Sequence, residues 1–274
     1  MQIFDEPKID CHAHVLDPKR FPYGEANAYK PAGQEMGNAD QLVEVMESFA
    51  VAHTLLVQPN SGYGPDNRCM LDAIERYPER FKGIAIAGMD ATLPELKSLK
   101  DKGVLGIALN PSFHGTDYYS DCGNLMKKLA ELDMFIQFQC EKDQFLAFVQ
   151  AIYDIPVRVL IDHCGRPAID AGIGGAAFAA LLRLADTGRV FVKISGYPKF
   201  SGMSFPFDDA RPFVGALLDA FTPDCCMWAS DWPYLRAPER QDVGPLIRLA
   251  GALLPDPSAR RKVFWDTPKR LFCF

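Results

Sequence analysis

The sequence contains little of what would direct a protein to nucleic acid, to a membrane or to a disulfide-stabilised fold. It has no run of Lys and Arg, and its 29 basic residues are outnumbered by 35 acidic ones, for a formal net charge of -6. Because phosphate binding needs a basic surface, no nucleic-acid partner is expected. No apolar stretch approaches the ~18 residues of a membrane span. The eight cysteines show no CxxC spacing, which is typical of buried free thiols rather than of a disulfide framework.

Several catalytic and cofactor signatures are missing as well. The chain has no GxSxG nucleophile elbow, and no GxGxxG or Walker loop for a nucleotide. Its first ten residues, MQIFDEPKID, carry acidic side chains and lack the apolar region of a signal peptide. We therefore expect a cytoplasmic protein with a small-molecule ligand and without a nucleic-acid or membrane partner. A homo-oligomer is compatible with the sequence.

What the sequence does contain is a regular alternation of short apolar segments and longer amphipathic ones. Several of the predicted strands are nearly all apolar, which is typical of parallel strands covered on both faces. The predicted strands are residues 9–12, 54–58, 81–87, 104–109, 135–140, 157–162, 190–194 and 226–229. Helices with apolar residues three and four apart are predicted at 39–49, 69–77, 92–102, 123–132, 144–153, 176–185, 209–221 and 243–254. Eight such units without a compositional break predict an α/β fold, a single-domain (β/α)8 TIM barrel over residues 1–274. An open α/β sheet is the nearest rival.

Two segments stand outside this alternation. Residues 16–38 follow the first strand and are rich in Pro, Gly and Tyr, so we expect them over the mouth of the barrel, where functional loops of this fold lie. A final helix near 257–265 and the tail 267–274 are expected to pack against the barrel exterior.

The chain has only five histidines, and three of them lie at the ends of predicted strands. His12 and His14 are two residues apart at the end of the first strand, where period-two geometry places both on one face. His163 follows the sixth predicted strand, and Asp231 follows the eighth. Because barrel enzymes place catalytic groups at the carboxyl ends of strands, these four residues are the predicted active site. For each one taken alone, a hydrogen-bonded core or loop residue is the favoured interpretation, and only the four together predict a site.

The blocks IDCHAH, IDHCGRP, VKISG and ASDWP occur in this order at the strand ends and resemble the amidohydrolase superfamily. With VQPNSGYGPDNRCMLDAI and FWDTPKRLF, they are similar to its amidohydrolase-2 type branch, which includes 2-pyrone-4,6-dicarboxylate lactonase and sugar-acid lactonases. The resemblance spans nearly the whole chain and implies hydrolysis of a small lactone. It implies that Asp231 is the general base that takes a proton from water. It also implies that His12, His14 and His163 polarise the carbonyl, directly or through a metal.

The types of side chain at the predicted site bear on whether it binds a metal. His12, His14 and Asp231 supply three N and O ligands, the number used by an open catalytic zinc site. Related barrels often add a histidine on the fifth strand and a lysine on the fourth, but these strands end here in QFQC and IAL, so a two-metal site is not expected. We expect no required metal cofactor. One divalent ion, zinc, held by these three residues is the alternative.

Substrate contacts are predicted around the mouth. Arg166 could hold a carboxylate by a bidentate pair, or could form a salt bridge on the rim. Tyr29, Tyr63 and Asn110 are predicted to offer hydrogen bonds to a polar ligand, with rim packing or loop anchoring as their alternative roles. Relatives that act on dicarboxylated pyrones carry arginine where this chain has Ala108, which favours a sugar-acid or singly charged lactone here.

Two other classes of function stay open. A metal-dependent non-oxidative decarboxylase of the same superfamily would use the same histidines and aspartate, although the fifth-strand histidine is missing. A barrel that binds a ligand without turnover would not need an unpaired base at Asp231. Lys193 is expected to pair with a carboxylate inside the barrel, and His53 and His114 are assigned no catalytic role.

Overall fold

Eight parallel strands form one sheet whose order follows the chain. They are β1 (Lys8–Ala13), β2 (Val51–Val57), β3 (Phe81–Ala85), β4 (Val104–Leu109), β5 (Phe135–Phe138), β6 (Arg158–Ile161), β7 (Val190–Ile194) and β8 (Cys226–Trp228). Backbone hydrogen bonds from Asp231 N to His12 O (2.9 Å) and from His14 N to Trp232 O (2.8 Å) join the segment after β8 to the end of β1. This computed structural model describes residues 2–25, 27 and 29–274. The predicted (β/α)8 barrel is confirmed.

Helices lie between successive strands, and three more follow β8. They are α1 (Ala39–Ser48), α2 (Asn60–Tyr63), α3 (Arg68–Arg76), α4 (Leu93–Lys100), α5 (Pro111–His114), α6 (Cys122–Glu131), α7 (Val149–Asp154), α8 (Ala176–Arg183), α9 (Arg211–Phe221), α10 (Val243–Leu253), α11 (Pro257–Arg261) and α12 (Thr267–Phe272). The predicted helix at 144–153 begins as a 3₁₀ helix, Lys142–Phe148, before α7. The single turns α2 and α5 were not predicted, because four residues are too few to show a period. No helix in the described part of the chain is long and apolar enough to cross a membrane.

The bounds of the observed strands agree with those of the predicted strands to within a few residues. The predictions at 104–109 and 190–194 coincide with β4 and β7, whereas β5 ends two residues before the predicted 135–140. Cys140 is still buried beyond the end of β5. An apolar segment therefore predicts which residues are buried, but it does not predict at which residue the hydrogen bonds of the strand end.

The amino-terminal half of the barrel interior is apolar and is closed by α12. Side chains from seven strands fill it, namely Ile9, Cys11, Leu55, Val57, Ile84, Phe135, Leu160, Phe191, Met227 and Ala229. Leu271 and Phe272 belong to the same cluster, and the Phe272 ring lies 5.7 Å from that of Phe135. The expectation that the tail packs against the barrel exterior is therefore wrong. Two apolar side chains can be buried at the open end of the interior, and this stabilises the tail there.

The long segment after β1 was expected over the mouth; it contacts the barrel rim, but none of its described residues lines the cavity at the mouth. Leu16 N donates to Gly37 O at 2.8 Å, which returns the segment to the barrel rim. Gly37 lies directly against the ring of Trp232, where a Cβ would come within 1.9 Å of a ring atom. Residues 26 and 28 of the segment lie outside the described part of the chain. The contact with Trp232 places the segment beside Asp231.

Candidate active site

The four predicted catalytic residues meet at the carboxyl end of the barrel. The Nε2 atoms of His12, His14 and His163 lie 3.8, 3.7 and 3.6 Å from a single atom, Oδ1 of Asp231. All four side chains are buried. Strand pairing brings them together, because the exits of β1, β6 and β8 open onto the same end of the sheet.

The atoms at the centre of this group have no hydrogen-bond partner among the described residues. These unpaired buried atoms are Nε2 of His12, Nε2 of His163 and Oδ1 of Asp231. An unpaired buried polar atom costs on the order of 1–3 kcal/mol, so a ligand is expected to satisfy them. Ligands of a tetrahedral zinc ion lie about 3.4 Å apart, which is close to the spacing observed here. The three imidazole nitrogens and the carboxylate oxygen are therefore spaced to surround a small cation or a polarised water molecule.

The hydrogen bond made by Nδ1 of His14 determines the role of its Nε2, the nitrogen that faces Asp231. Nδ1 of His14 lies 2.7 Å from the backbone oxygen of Val57 and must donate to it, because a carbonyl oxygen only accepts. A neutral His14 therefore presents a lone pair at Nε2. That lone pair can bind a cation or accept a proton from water, but it cannot donate to an oxyanion.

His163 is positioned by the two residues that directly follow β7, Ser195 and Gly196. Its Nδ1 lies 3.1 Å from Oγ of Ser195, a hydroxyl that can donate or accept. Gly196 has φ +65°, and a Cβ there would lie 2.4 Å from Cγ and Nδ1 of the His163 ring. Burial holds the pKa of His163 well below its usual value. The glycine of the VKISG block is thus explained by both its backbone conformation and the adjacent ring.

A buried ion pair supports His12 from inside the barrel. Nζ of Lys193 lies 3.0 Å from Oδ1 of Asp162, and Nδ1 of His12 lies 3.1 Å from the same oxygen. Gln137 completes the group, since Lys193 donates to its Oε1 at 2.6 Å and its Nε2 donates to Asp162 at 2.8 Å. Lys193 thus pairs with a carboxylate inside the barrel, as expected. Asp162 and Gln137 were not identified from the sequence, although a polar residue within an apolar strand was the available signal.

The charges around Asp162 and His12 determine the protonation states of these two residues. Burial opposes ionisation of Asp162, but Lys193 and His12 outweigh it and hold the pKa of this carboxyl well below its usual range. Burial lowers the pKa of His12 to about 4. The His12 ring is therefore neutral near pH 7, beside an ionised carboxylate that orients it.

The second oxygen of Asp231 is paired with a cation that sequence analysis did not assign to the site. Oδ2 lies 3.0 Å from Nζ of Lys199, which also donates to the backbone oxygen of Leu235 at 3.1 Å. Burial raises the pKa of Asp231, but Lys199 and His163 outweigh it and lower the pKa well below the usual range. Asp231 and His163 both have positive φ, 63° and 53°. Such strained backbone in residues other than glycine is concentrated at functional sites.

A cavity of about 500 Å³ opens above these residues. Asn110 lines it, and its hydrogen bond to a ligand stays a prediction. Arg166 lines it as well, while its guanidinium donates to Oε2 of Glu141 at 2.8 Å. Arg166 therefore faces the cavity and forms a rim salt bridge at the same time.

Tyr29 and Tyr63 do not line the cavity formed by the described residues. The hydroxyl of Tyr63 accepts a hydrogen bond from Asp17 N at 2.9 Å, and its side chain is buried. The hydroxyl of Tyr29 donates to Glu35. We therefore correct the prediction that they contact a ligand, because both hydroxyls are used to anchor the segment after β1.

The two remaining histidines lie away from the catalytic group. His53 is stacked on Phe274 at the opposite end of the barrel, with ring centroids 4.7 Å apart. His114 is exposed on α5, at the cavity rim, and its Nε2 lies 3.1 Å from Nδ2 of Asn60. Neither position offers a contact with Asp231.

Known proteins show the same overall organisation. The chain is 33% identical to 4-sulfomuconolactone hydrolase of Rhizobium radiobacter over 273 residues, covering 96% of this chain and 89% of the relative. It is 25% identical to 2-pyrone-4,6-dicarboxylate hydrolase of Comamonas testosteroni over 277 residues, with coverages of 96% and 89%. The crystal structure of a probable 2-pyrone-4,6-dicarboxylic acid hydrolase from Acinetobacter baumannii, with citric acid bound, superposes with a TM-score of 0.89 at 24% identity, covering 97% and 99% of the two chains.

The family follows from the extent of the match. The sequence model of the amidohydrolase family matches residues 9–274, which include every strand except the first residue of β1. His12, His14, His163 and Asp231 all lie within this span, at the strand exits where the geometry places the site. The chain belongs to the amidohydrolase family.

Proposed function

We propose that this protein opens a small lactone by adding water to its carbonyl. The observation that carries the proposal is the convergence of three imidazole Nε2 atoms on one oxygen of a buried carboxylate, 3.6–3.8 Å away. The cavity above them, about 500 Å³, has the size of a site for a small ring compound. The names of the relatives, hydrolases of a sulfomuconolactone and of a pyrone dicarboxylate, support the same reaction.

The reaction requires one proton acceptor and a stabilised oxyanion. Oδ1 of Asp231 accepts a proton from water while the water oxygen forms a bond to the lactone carbonyl carbon. The tetrahedral intermediate then expels the ring oxygen, and the proton held by Asp231 passes to that oxygen, which leaves a hydroxy acid. Lys199 holds the other oxygen of Asp231, so that Oδ1 remains directed at the imidazoles.

A bound metal is a separate proposal. Sequence analysis favours a site without a required metal, with one zinc ion as the alternative. The neutral form of His14, which offers a lone pair at Nε2, supports the alternative, and His12 and Asp231 would complete the ligand set. Such an ion would polarise the carbonyl and lower the pKa of a bound water. We therefore propose one divalent ion held by His12, His14 and Oδ1 of Asp231, an oxygen whose second lone pair stays available to accept the proton.

The decarboxylase alternative has less in its favour. Where a metal-binding histidine of the fifth strand would lie, this chain has Gln137 on β5 and Gln139 directly after it. Gln137 already bonds to Lys193 and Asp162. Lys193 also neutralises the Asp162 carboxylate, so Asp162 is a poor second metal ligand. The cytoplasmic location and the homo-oligomer stay predictions from the sequence.

The function is tested by a panel of lactones with a pH indicator. The panel contains aldono-, uronic, sulfonated and pyrone lactones, together with a carboxylated aromatic acid whose decarboxylation is followed as released CO₂. We expect ring opening of at least one lactone and no CO₂. Folded enzyme that opens no lactone in the panel would refute the proposal, and CO₂ release would favour the alternative.

A further inference from the structure

Among the described residues, strand ladders join every neighbouring pair of the barrel except β1 and β8. We call the boundary between β1 and the segment after β8 the seam. Across the seam an isolated bridge pairs Ala13 with Trp232, in place of a ladder. His12 and His14 lie on one side of the seam and Asp231 on the other. Contacts across the seam therefore decide how the proposed base faces two of the three imidazoles.

Asp10 of β1 reaches across the seam with both of its carboxylate oxygens. Oδ1 accepts from the backbone N of Ser230 at 2.9 Å and from that of His12 at 3.1 Å. Oδ2 accepts from Oγ of Ser230, which in turn accepts from the backbone N of Trp232 at 3.0 Å. Asp10 is only 4% exposed, so these bonds lie in a low-dielectric interior where they are stronger than in water. One buried carboxylate thus joins β1 to the segment that carries Asp231.

The backbone around Asp231 is anchored at three successive amides. Asp231 N donates to the backbone oxygen of His12 at 2.9 Å. The amides on either side, those of Ser230 and Trp232, are held by Asp10 directly or through the Ser230 hydroxyl. Asp231 has φ 63°, a conformation that persists in a residue other than glycine only where the surroundings fix it. The bonds to Asp10 are part of what fixes it.

The chemistry of Asp10 suits this task and no direct part in the reaction. Two backbone amides and one hydroxyl donate to it, and only a side chain with several acceptor sites can satisfy them all. Asp10 does not line the cavity formed by the described residues. It can therefore act on a bound substrate only through His12 and Asp231.

We propose that Asp10 is a positioning residue that closes the seam and sets the distance between Asp231 and the imidazoles of His12 and His14. Loss of its carboxylate releases the amides on both sides of Asp231, and the backbone can then turn Oδ1 away from the imidazoles. The catalytic consequence rests on the proposed lactonase function. The geometry itself can be measured without turnover.

The geometry is tested by nitrogen NMR of protein labelled in its histidine rings. The chain has five histidines, of which His53 and His114 lie away from the site and serve as internal references. Asp10→Ala should shift the ring signals of His12 and His14 and leave those of the two references in place. Unchanged signals for His12 and His14, or an equal change in all five rings, would overturn the proposal.

The catalytic consequence is measured on a lactone that the wild type accepts. Asp10→Ala should lower kcat by about a hundredfold with little change in KM, because the proposed base is displaced while the cavity lining is retained. Asp10→Asn should recover kcat to within about fivefold of the wild type, since its amide oxygen can accept from both backbone amides and its nitrogen can donate to Oγ of Ser230. An alanine variant as active as the wild type, or an asparagine variant as impaired as alanine, would contradict this role.

Two further variants separate positioning from general stability. Glu6→Ala is the matched control, because it removes a mostly buried carboxylate that pairs with Arg260 at 2.7 Å, before the start of β1. It should lower the melting temperature and change neither kcat nor the histidine signals. If Asp10→Ala fails to fold, Ser230→Ala removes only the hydroxyl that links Asp10 to Trp232. A loss of about tenfold in kcat and a smaller shift of the same signals are then expected, and their absence would count against the proposal.

Failure of this proposal and failure of the proposed function give different results. A wild type that opens no lactone, with the signals of His12 and His14 shifted in Asp10→Ala, would refute the lactonase and support the role of Asp10. A wild type that opens a lactone, with Asp10→Ala equally active, would refute the role of Asp10 alone. Neither turnover nor a shift would refute both.

Discussion

Lys199 and Asp231 form an ion pair inside the active site, with Nζ 3.0 Å from Oδ2. The pair divides the carboxylate, because Oδ2 is held by the lysine while Oδ1 faces the three imidazoles. Lys199 is therefore a positioning residue for the proposed base. Lys199 ends the segment YPK, which follows VKISG directly, and its side chain lines the cavity.

Replacing Lys199 tests this role. Lys199→Met keeps the length of the side chain but frees Oδ2 of Asp231, so we expect kcat to fall by about tenfold or more as the carboxylate turns away. Lys199→Arg keeps the charge and should recover part of kcat. Lys142→Met, on the exposed rim, is the control. Initial rates on an accepted lactone measure the effect, and a kcat for Lys199→Met within twofold of the wild type contradicts it.

Removing the proposed base has a larger effect. Asp231→Asn keeps the size of the side chain and cannot accept the proton, so we expect kcat to fall on the order of 10²–10⁴-fold. The melting temperature should change little in comparison. Asp170→Asn, an exposed residue of the loop after β6, should retain full activity. Turnover by Asp231→Asn within threefold of the wild type would rule out its assignment as the base.

The contact between Gly196 and His163 provides a matched pair of variants. Gly196→Ala places a Cβ 2.4 Å from the imidazole, whereas Gly188, with nearly the same φ of 66°, has no atom within 4 Å of such a Cβ. Both substitutions carry a backbone penalty of about 1 kcal/mol. We expect only Gly196→Ala to lose activity, by about tenfold or more, because only it displaces His163. Similar activities of the two variants, measured beside their melting curves, would argue against this explanation.

Metal content tests the proposed ion without reference to activity. After incubation with zinc and dialysis, the wild type should retain one equivalent by elemental analysis. His14→Ala should retain far less, and His53→Ala, at the other end of the barrel, should match the wild type. An enzyme that opens lactones while holding no metal above background would show that the imidazoles act alone, as sequence analysis favours.

Lys8 is expected to make stability depend on pH. Its Nζ donates to the backbone oxygens of Phe4, Glu6 and Phe49, and burial lowers its pKa to about 8 from an ordinary value of 10.5. Below pH 8 the folded state carries a buried charge. Between pH 8 and 10.5 only the unfolded state stays protonated, so this penalty is lost and the folded state gains stability as the pH rises.

The expected size of this effect is measurable by denaturant unfolding. The free energy of unfolding of the wild type, minus that of Lys8→Met, should rise by on the order of 1–3 kcal/mol from pH 8 to 10.5. Taking the difference removes the contribution of other titrating groups. Lys102→Met, which is exposed, should give a flat difference, and a flat difference for Lys8→Met would contradict the prediction.

Local patterns were sufficient to predict the barrel and the positions of its candidate catalytic groups. Apolar segments of strand length, separated by amphipathic ones, specify parallel strands with helical crossovers, since only that arrangement covers both faces of each strand. His12, His14, His163 and Asp231 were identified because each lies at a strand end. The roles proposed for them remain predictions.

Contacts between distant strands could not be predicted from the sequence. Sequence analysis predicted that Lys193 pairs with a carboxylate, but it did not identify Asp162 as that carboxylate, nor the pairing of Lys199 with Asp231. Both depend on side-chain directions across the barrel, which no local pattern encodes. The same holds for Tyr63, which was assigned to the ligand because of its position in a mouth loop and which bonds to Asp17 instead.

The sequence by itself determined the fold class, the family and the end of the barrel that carries the site, because hydrophobic period and residue type are local properties. Only the tertiary structure decided that Leu271 and Phe272 close the barrel from below, and that the neutral form of His14 offers a lone pair to the centre. Both depend on which atoms lie opposite each other once the strands have paired. Burial and hydrogen-bond geometry exist only in the folded chain, and they set the tautomers, charges and contacts of the site.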